Sequence, residues 1–181
     1  MPISRPRCRR RNDAADIACI FCTSGTTNRP KIVVYDHCAY WLNGLSTLEC
    51  LGLTAADRTL EYRSFGWNSA QVLSLMPFLE TGLTLHIARR FSHSHFFDWI
   101  GNYGITFAAG VPTVLNMLLN KPLGITAKDV PTLRLMTCST APLTLEQWLR
   151  FEEMYGVKLL QMYGMSEAGW MCGNRHYANK M

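Results

Sequence analysis

Short apolar and β-branched runs recur along the chain at Ile17–Phe21, Ile32–Tyr35, Thr59–Arg63, Leu83–Ala88, Thr106–Ala109, Leu133–Thr137 and Val157–Met162. Their length and composition predict strands rather than helices. Longer stretches with helical spacing lie between them, at His37–Cys50, Ser69–Glu80, Ser94–Asn102, Pro112–Leu119 and Leu143–Tyr155. The punctuation agrees. Pro112 suits a first helical turn, Gly82 and Gly104 follow helices, and Thr144-x-Glu146 opens one. Strands that alternate with helices predict an α/β fold with a predominantly parallel sheet and right-handed crossover helices. Ligands of such sheets bind beyond the carboxyl ends of the strands.

The first two runs bracket Thr23-Ser-Gly-Thr-Thr-Asn-Arg-Pro-Lys31, a cluster of hydroxyls around one glycine that closes on a lysine. Hydroxyls and free backbone N–H groups on a turn, with one ammonium, suit a polyphosphate. The segment is not a Walker A loop, because no second glycine follows Gly25 and the chain continues as strand rather than helix. Read alone, it favours phosphate binding over its alternative, a polar surface turn between two strands.

Two further segments change that reading. Leu133-Arg-Leu-Met-Thr-Cys138-Ser-Thr-Ala-Pro142-Leu reads as a strand that ends in a small-residue turn before a helix. Leu159-Leu-Gln-Met-Tyr163-Gly-Met-Ser166-Glu167-Ala-Gly169 reads as a strand that runs into a glycine-flanked turn. In order and spacing, the three segments resemble the phosphate loop, adenine loop and Tyr-Gly-x-Ser/Thr-Glu motif of the adenylate-forming superfamily. That superfamily includes acyl- and aryl-CoA synthetases, luciferases and the adenylation domains of peptide synthetases. The resemblance covers about residues 16–177. Two positions depart from it. Asn28 stands where glycine is usual, and Cys138-Ser139-Thr140 replaces Gly-Gly/Ser-Ala.

The resemblance implies a role for each matching residue. Thr23, Ser24, Gly25, Thr26, Thr27 and Lys31 would hold the β- and γ-phosphates of ATP. Ser139, Thr140, Ala141 and Pro142 would lie against adenine, and Tyr163 would pack on the base. Gln161, Met162 and Gly164 belong to the same nucleotide-binding segment. Ser166 would donate to the α-phosphate and Glu167 would take Mg²⁺, which makes Lys31, Ser166 and Glu167 the catalytic set. Phe65-Gly-Trp67-Asn and Gly110-Val111-Pro-Thr stand where the family lines its acyl pocket. Other readings stay open at this stage. Glu167 is also a plausible helix N-terminal acid, Tyr163 a strand-end core aromatic, and Phe65 and Trp67 core residues.

The implied activity is ATP-dependent ligation of a small carboxylic acid to coenzyme A through an acyl-adenylate. The alternative is a catalytically inactive nucleotide-binding or interaction module built on the same fold. The family's ribose-binding Thr-Gly-Asp segment, hinge and terminal lysine have no counterpart here, so the expectation is an internal fragment of a synthetase roughly three times longer. Residues 16–181 would then be a partial adenylation domain without its C-terminal domain.

Composition changes the picture only at the N-terminus. The net charge is +5, but Arg5, Arg7, Arg9, Arg10 and Arg11 account for all of it. Residues 1–15 read as a basic, disordered leader, and its two prolines oppose the amphipathic helix of a transit peptide. No specific nucleic-acid role is assigned to it, no apolar stretch reaches the length of a membrane span, and the expected compartment is the cytoplasm. Cys19-x-x-Cys22 has metal-like spacing, yet a strand sends those side chains to opposite faces. The seven cysteines are therefore expected to be buried thiols, and His93 and His95 to face solvent. Neither the acid nor the oligomeric state can be read from the sequence.

Overall fold

A computed structural model describes residues 13–23 and 29–173. It contains two sheets. Strands β1 (Ile17–Thr23) and β2 (Lys31–Asp36) form an antiparallel hairpin, in which Thr23 pairs with Lys31 and Phe21 with Val33. The other sheet has six strands: β3 (Arg58–Glu61), β4 (Thr84–Ile87), β5 (Phe107–Ala108), β6 (Leu135–Ser139), β7 (Lys158–Met165) and β8 (Gly169–Gly173). Their order is β4-β3-β5-β6-β7-β8, with every pairing parallel except β7 with β8. The parallel pairing expected of the four later runs is present, joined by an antiparallel edge strand that the pattern did not predict.

The strand order dictates the layers. From β3 the chain steps one way to β4, and every later crossover steps the other way. Right-handed crossovers then place the first helices and the later ones on opposite faces. One face is covered by α1 (His37–Leu51) and by a helical stretch made of α2 (Asn68–Ala70), a π turn (Gln71–Leu75) and α3 (Met76–Thr81). Leu51, Leu73 and Leu83 pack there against Phe107, Leu135 and Leu160. The opposite face carries α4 (Phe96–Tyr103), α5 (Pro112–Asn120) and α6 (Leu145–Tyr155), whose Phe96, Leu115 and Trp148 meet Leu60, Met136 and Leu159. Neighbouring residues of β6 and β7 alternate between these two cores, so their apolar runs are buried on both sides.

Local chemistry sets the ends of the elements. Asp36 caps α1 by accepting from the Ala39 N–H at 2.7 Å. Thr144 caps α6 in a capping box with Gln147. Asp57 ties the amino ends of three strands together: its carboxylate accepts from Thr106 Oγ1 at 2.7 Å and from Arg134 at 2.9 Å. Burial opposes its ionisation, but hydrogen bonds from Thr106, Thr54 and Arg134 outweigh burial and hold the carboxyl below its usual range. Asp13–Asp16 form a turn joined to the start of α1 through His37 N–H to Asp16 O. Leader residues 1–12 lie outside the described residues. No helix among the described residues is long and apolar enough to cross a membrane.

Candidate active site

A cleft of about 430 Å³ opens where the carboxyl ends of β6 and β7 face the hairpin. Its wall includes Thr23 at the end of β1, Thr140 just after β6, Gly164 and Ser166 at the end of β7, and Trp67 and Asn68 from the segment after β3. Residues spread across most of the chain therefore converge on one place, as a parallel sheet requires of strand-end loops.

Other site candidates lie around the cleft rather than on its wall. Lys31 begins β2 opposite Thr23 and is exposed. Ser139 ends β6 with its side chain buried and its hydroxyl unpartnered, while Ala141 and Pro142 are exposed beyond it. Met162 is buried in the core shared with α1, and half-buried Gln161 alternates to the opposite face. Tyr163 lies within β7, not beyond its end, and is 55% exposed, so the core-aromatic reading fails. Ser24, Gly25, Thr26 and Thr27 lie outside the described residues.

The motif forms a strand that runs into a turn closed by Gly169. Residues 166–168 join β7 to β8, and no helix begins at Glu167, so the helix-cap reading of that acid fails as well. Glu167 is exposed, and its charge adds to the upward shift of the Tyr35 hydroxyl on β2. The neighbouring Ser166 carbonyl accepts from the Tyr35 hydroxyl of β2, so the turn that carries this acid lies against the hairpin. Gly169, which closes the turn, has φ +68, and a Cβ there would come within 2.4 Å of Asn43 on α1. Only glycine satisfies both the backbone and the packing.

The acyl-pocket candidates divide. Trp67 is 59% exposed on the cleft wall and is not core. Phe65 is half-buried, and its carbonyl accepts from Gln71 Nε2 at 2.6 Å. Gly110 is buried against β6: a Cβ would meet the Thr137 carbonyl at 2.5 Å. Val111 packs on the core beneath α5. Gly110 and Val111 thus have structural reasons for their identity, whereas Trp67 faces open space.

Polar groups hold the segment after β3 in place. Glu61 is fully buried and pairs with Arg63 at 2.6 Å, and Ser74 in the π turn donates to the same carboxylate oxygen. Arg63 also donates to the hydroxyl and carbonyl of Ser69, each at 3.3 Å. Gln71, held by the Tyr40 hydroxyl, binds the Phe65 carbonyl. Burial lifts the Tyr40 hydroxyl to about 12, so it remains a donor at neutral pH.

Sequence reasoning missed Asn68 and Tyr35. The Tyr35 hydroxyl donates to the Ser166 carbonyl at 2.7 Å, and its oxygen accepts from Asn68 Nδ2 at 3.5 Å. Burial raises this hydroxyl above its usual value, Asn68 and Gly169 oppose the rise, and Cys19 and Glu167 add to it. Only a polar-capable aromatic at a buried hairpin position could have signalled this contact.

The cysteine expectation needs correction. Among the described cysteines only Cys138 is buried, while Cys22, Cys38 and Cys172 are exposed. Burial pushes the Cys138 thiol up to about 12, so it stays protonated and inert. Cys19 and Cys22 are not part of any group of three or more metal-ligating side chains among the described residues. His95 is exposed as expected, whereas half-buried His93 bonds the Lys121 carbonyl at 2.8 Å.

Thr140 is the one non-glycine residue with positive φ (76°) among those described. A β-branched residue in the left-handed region is strained, at a cost of about 1–2 kcal/mol. We expect Thr140→Gly to raise the urea midpoint, with a gain of about 1 kcal/mol after the greater unfolded-state entropy of glycine is counted. An equal or lower midpoint would show that contacts of the Thr140 side chain outweigh the strain.

Comparison with known proteins fits this geometry. The family model described as AMP-binding enzyme matches residues 4–180. The chain belongs to the AMP-binding enzyme family. It is 30% identical over 164 residues to the mitochondrial acyl-coenzyme A synthetase ACSM4 of Rattus norvegicus, an alignment that covers 86% of this chain and 27% of that protein. The ATP-bound structure of MatB from Rhodopseudomonas palustris superposes with a TM-score of 0.81 at 25% identity, over 90% of this chain and 32% of that one. O-succinylbenzoate coenzyme A synthetase from Bacillus subtilis, solved with ATP and magnesium ion, gives 0.78 at 25% identity, over 89% and 33%. The parallel sheet and its helices match the N-terminal domain of these adenylate-forming enzymes, and the chain spans about a third or less of their length.

Proposed function

We propose that this chain carries the nucleotide-binding cleft of an ATP-dependent carboxylate–CoA ligase. The observation that carries the reading is the convergence of Thr23, Thr140, Ser166 and Trp67 on one cleft at the carboxyl ends of the strands. The relatives are CoA ligases and acyl-CoA synthetases by name, and two structural neighbours hold ATP.

In this reading the Thr23–Lys31 turn receives the β- and γ-phosphates, with Ser24, Gly25, Thr26 and Thr27 donating N–H and hydroxyl groups and Lys31 adding charge. Ser139, Thr140, Ala141 and Pro142 border adenine on one side, and Gln161, Met162, Tyr163 and Gly164 supply the strand that borders it on the other. The Ser166 hydroxyl donates to the α-phosphate. The acid lies along Trp67, with Phe65, Gly110 and Val111 shaping the pocket from behind. The acid's carboxylate oxygen attacks the α-phosphorus, the bond to the bridging oxygen of pyrophosphate breaks, and an acyl-adenylate forms. Two anions must approach each other for this, so donors fixed before the reaction are the main source of rate.

Glu167 fits Mg²⁺: it is an exposed, single carboxylate beside the proposed α-phosphate donor, and Mg²⁺ takes one or two carboxylates with phosphate oxygens and water. When bound, the ion would neutralise charge that develops on the phosphates. Coenzyme A is the proposed acceptor in the second half-reaction. The proposed compartment is the cytoplasm, on the strength of the two prolines in the basic leader; the mitochondrial label belongs to the rat relative.

The test is acid-dependent exchange of labelled pyrophosphate into ATP, with this chain joined to the remaining segments of a family member. Exchange that rises with added acid supports the reading. A folded, nucleotide-binding fusion without exchange would instead favour the inactive nucleotide-binding module.

A further inference from the structure

Three segments far apart in sequence meet at the Tyr35 hydroxyl. Tyr35 lies on β2, directly after the Thr23–Lys31 turn, and its ring is 93% buried, edge-on to Phe21 of β1 at 5.9 Å. The hydroxyl proton goes to the Ser166 carbonyl, so the oxygen has only acceptor capacity left. That fixes the orientation of Asn68, which must present its NH₂ group to Tyr35 and its carbonyl elsewhere. The hydroxyl therefore donates to the start of the turn that carries Ser166 and Glu167 and accepts from Asn68 of the segment after β3.

The far side of this turn is held by the Met165–Gly169 pairing and by Asn43 of α1, which packs on Gly169 and donates to the Trp170 carbonyl at 3.4 Å. Within it, the Ala168 N–H bonds the Met165 carbonyl. Two pairs back from it, the β7–β8 register is irregular between Tyr163 and Gly164. A short hairpin end with an irregular register gains definition from a buried hydroxyl that bonds its first residue.

We propose that Tyr35 is a positioning residue: its hydroxyl sets the Ser166–Gly169 turn against the phosphate-loop hairpin and, through Asn68, ties that turn to the segment that presents Trp67. Its consequence for nucleotide binding rests on the ligase reading above. The contact itself does not.

The experiment compares the full chain with Tyr35→Phe, Asn68→Ala and Tyr40→Phe by hydrogen exchange read by mass spectrometry, alongside calorimetric binding of ATP and of adenosine. Tyr35→Phe keeps the ring on Phe21 and removes only the hydroxyl. Losing its bonds should speed exchange across residues 166–169 about three- to tenfold, with other segments unchanged. Affinity for ATP should fall by a similar factor while affinity for adenosine, which carries no phosphate, stays within about twofold. Tyr40→Phe, which removes a hydroxyl from the Gln71 side, should leave the turn unchanged. Should Tyr35→Phe fail to fold, Asn68→Ala decides, with an expected rise of about two- to threefold at the same residues. Unchanged exchange at 166–169 in a folded variant overturns the proposal, as does uniform acceleration along the whole chain. If the unsubstituted chain binds no nucleotide, the ligase reading fails and exchange alone still decides the positioning role.

Discussion

Arg63→Met is expected to destabilise the chain by about 3–5 kcal/mol, the cost of leaving a buried charge without its partner. Glu61 is fully buried, and it receives the Arg63 guanidinium at 2.6 Å, the Arg63 backbone N–H at 2.8 Å and the Ser74 hydroxyl at 2.6 Å. Removing the guanidinium keeps the last two bonds but leaves the carboxylate uncompensated in a low-dielectric setting. Domains of this size hold only about 5–15 kcal/mol of net stability, so the loss is large. It should appear as a lower urea midpoint with little change in slope. The double variant Glu61→Gln with Arg63→Met should recover much of it, because the buried charge is then gone. A loss below about 1 kcal/mol for Arg63→Met would mean that the carboxylate finds another partner or protonates at little cost. The same arginine anchors Ser69, so the variant should also loosen the segment that carries Trp67.

Glu167→Gln is expected to carry the largest functional effect, on the ligase reading. The amide nearly preserves shape and removes one negative charge from an exposed turn, so stability should change by less than about 0.5 kcal/mol. In the fused protein described above, pyrophosphate exchange should fall by about 10²-fold or more, as losses of groups acting on developing charge do. Lys31→Ala should cost less, because an exposed ammonium contributes a screened interaction. Exchange at the unsubstituted rate in Glu167→Gln would remove that acid from the metal role.

The periodic part of the fold was legible in the sequence. Strand runs such as Ile32–Tyr35 and helices such as His37–Cys50 match the observed elements within a residue or two, because apolar alternation and end signals such as Gly82 act locally. Strand β8 was not legible. Gly169-Trp-Met-Cys-Gly173 has glycine at both ends and no period-two pattern, and it is a strand because β7 offers it an edge. The π turn at Gln71–Leu75 is likewise invisible to helical spacing.

The cleft was legible in outline through three segments that could be quoted residue by residue. What holds them together was not. Tyr35 and Ser166 lie 131 residues apart, and nothing in either neighbourhood names the other. Trp67 stood evenly between core and pocket until its exposure was seen. The close approach of the Thr137 carbonyl, which a Cβ on Gly110 would meet, was likewise invisible in the sequence. The strain at Thr140 depends on a backbone angle that side-chain chemistry alone does not reveal.

On the ligase reading, ATP occupies the cleft between the hairpin and the ends of β6 and β7. Paramagnetic broadening of backbone amide signals by Mn²⁺·ATP, reversed with excess Mg²⁺·ATP, tests it most directly in the chain as it stands. Selective broadening is expected at Thr23, Thr140, Gly164 and Ser166, with Arg89, Arg90 and His95 around the separate cleft beside β4 unaffected. Broadening centred on that second cleft, or none at saturating nucleotide, would contradict it.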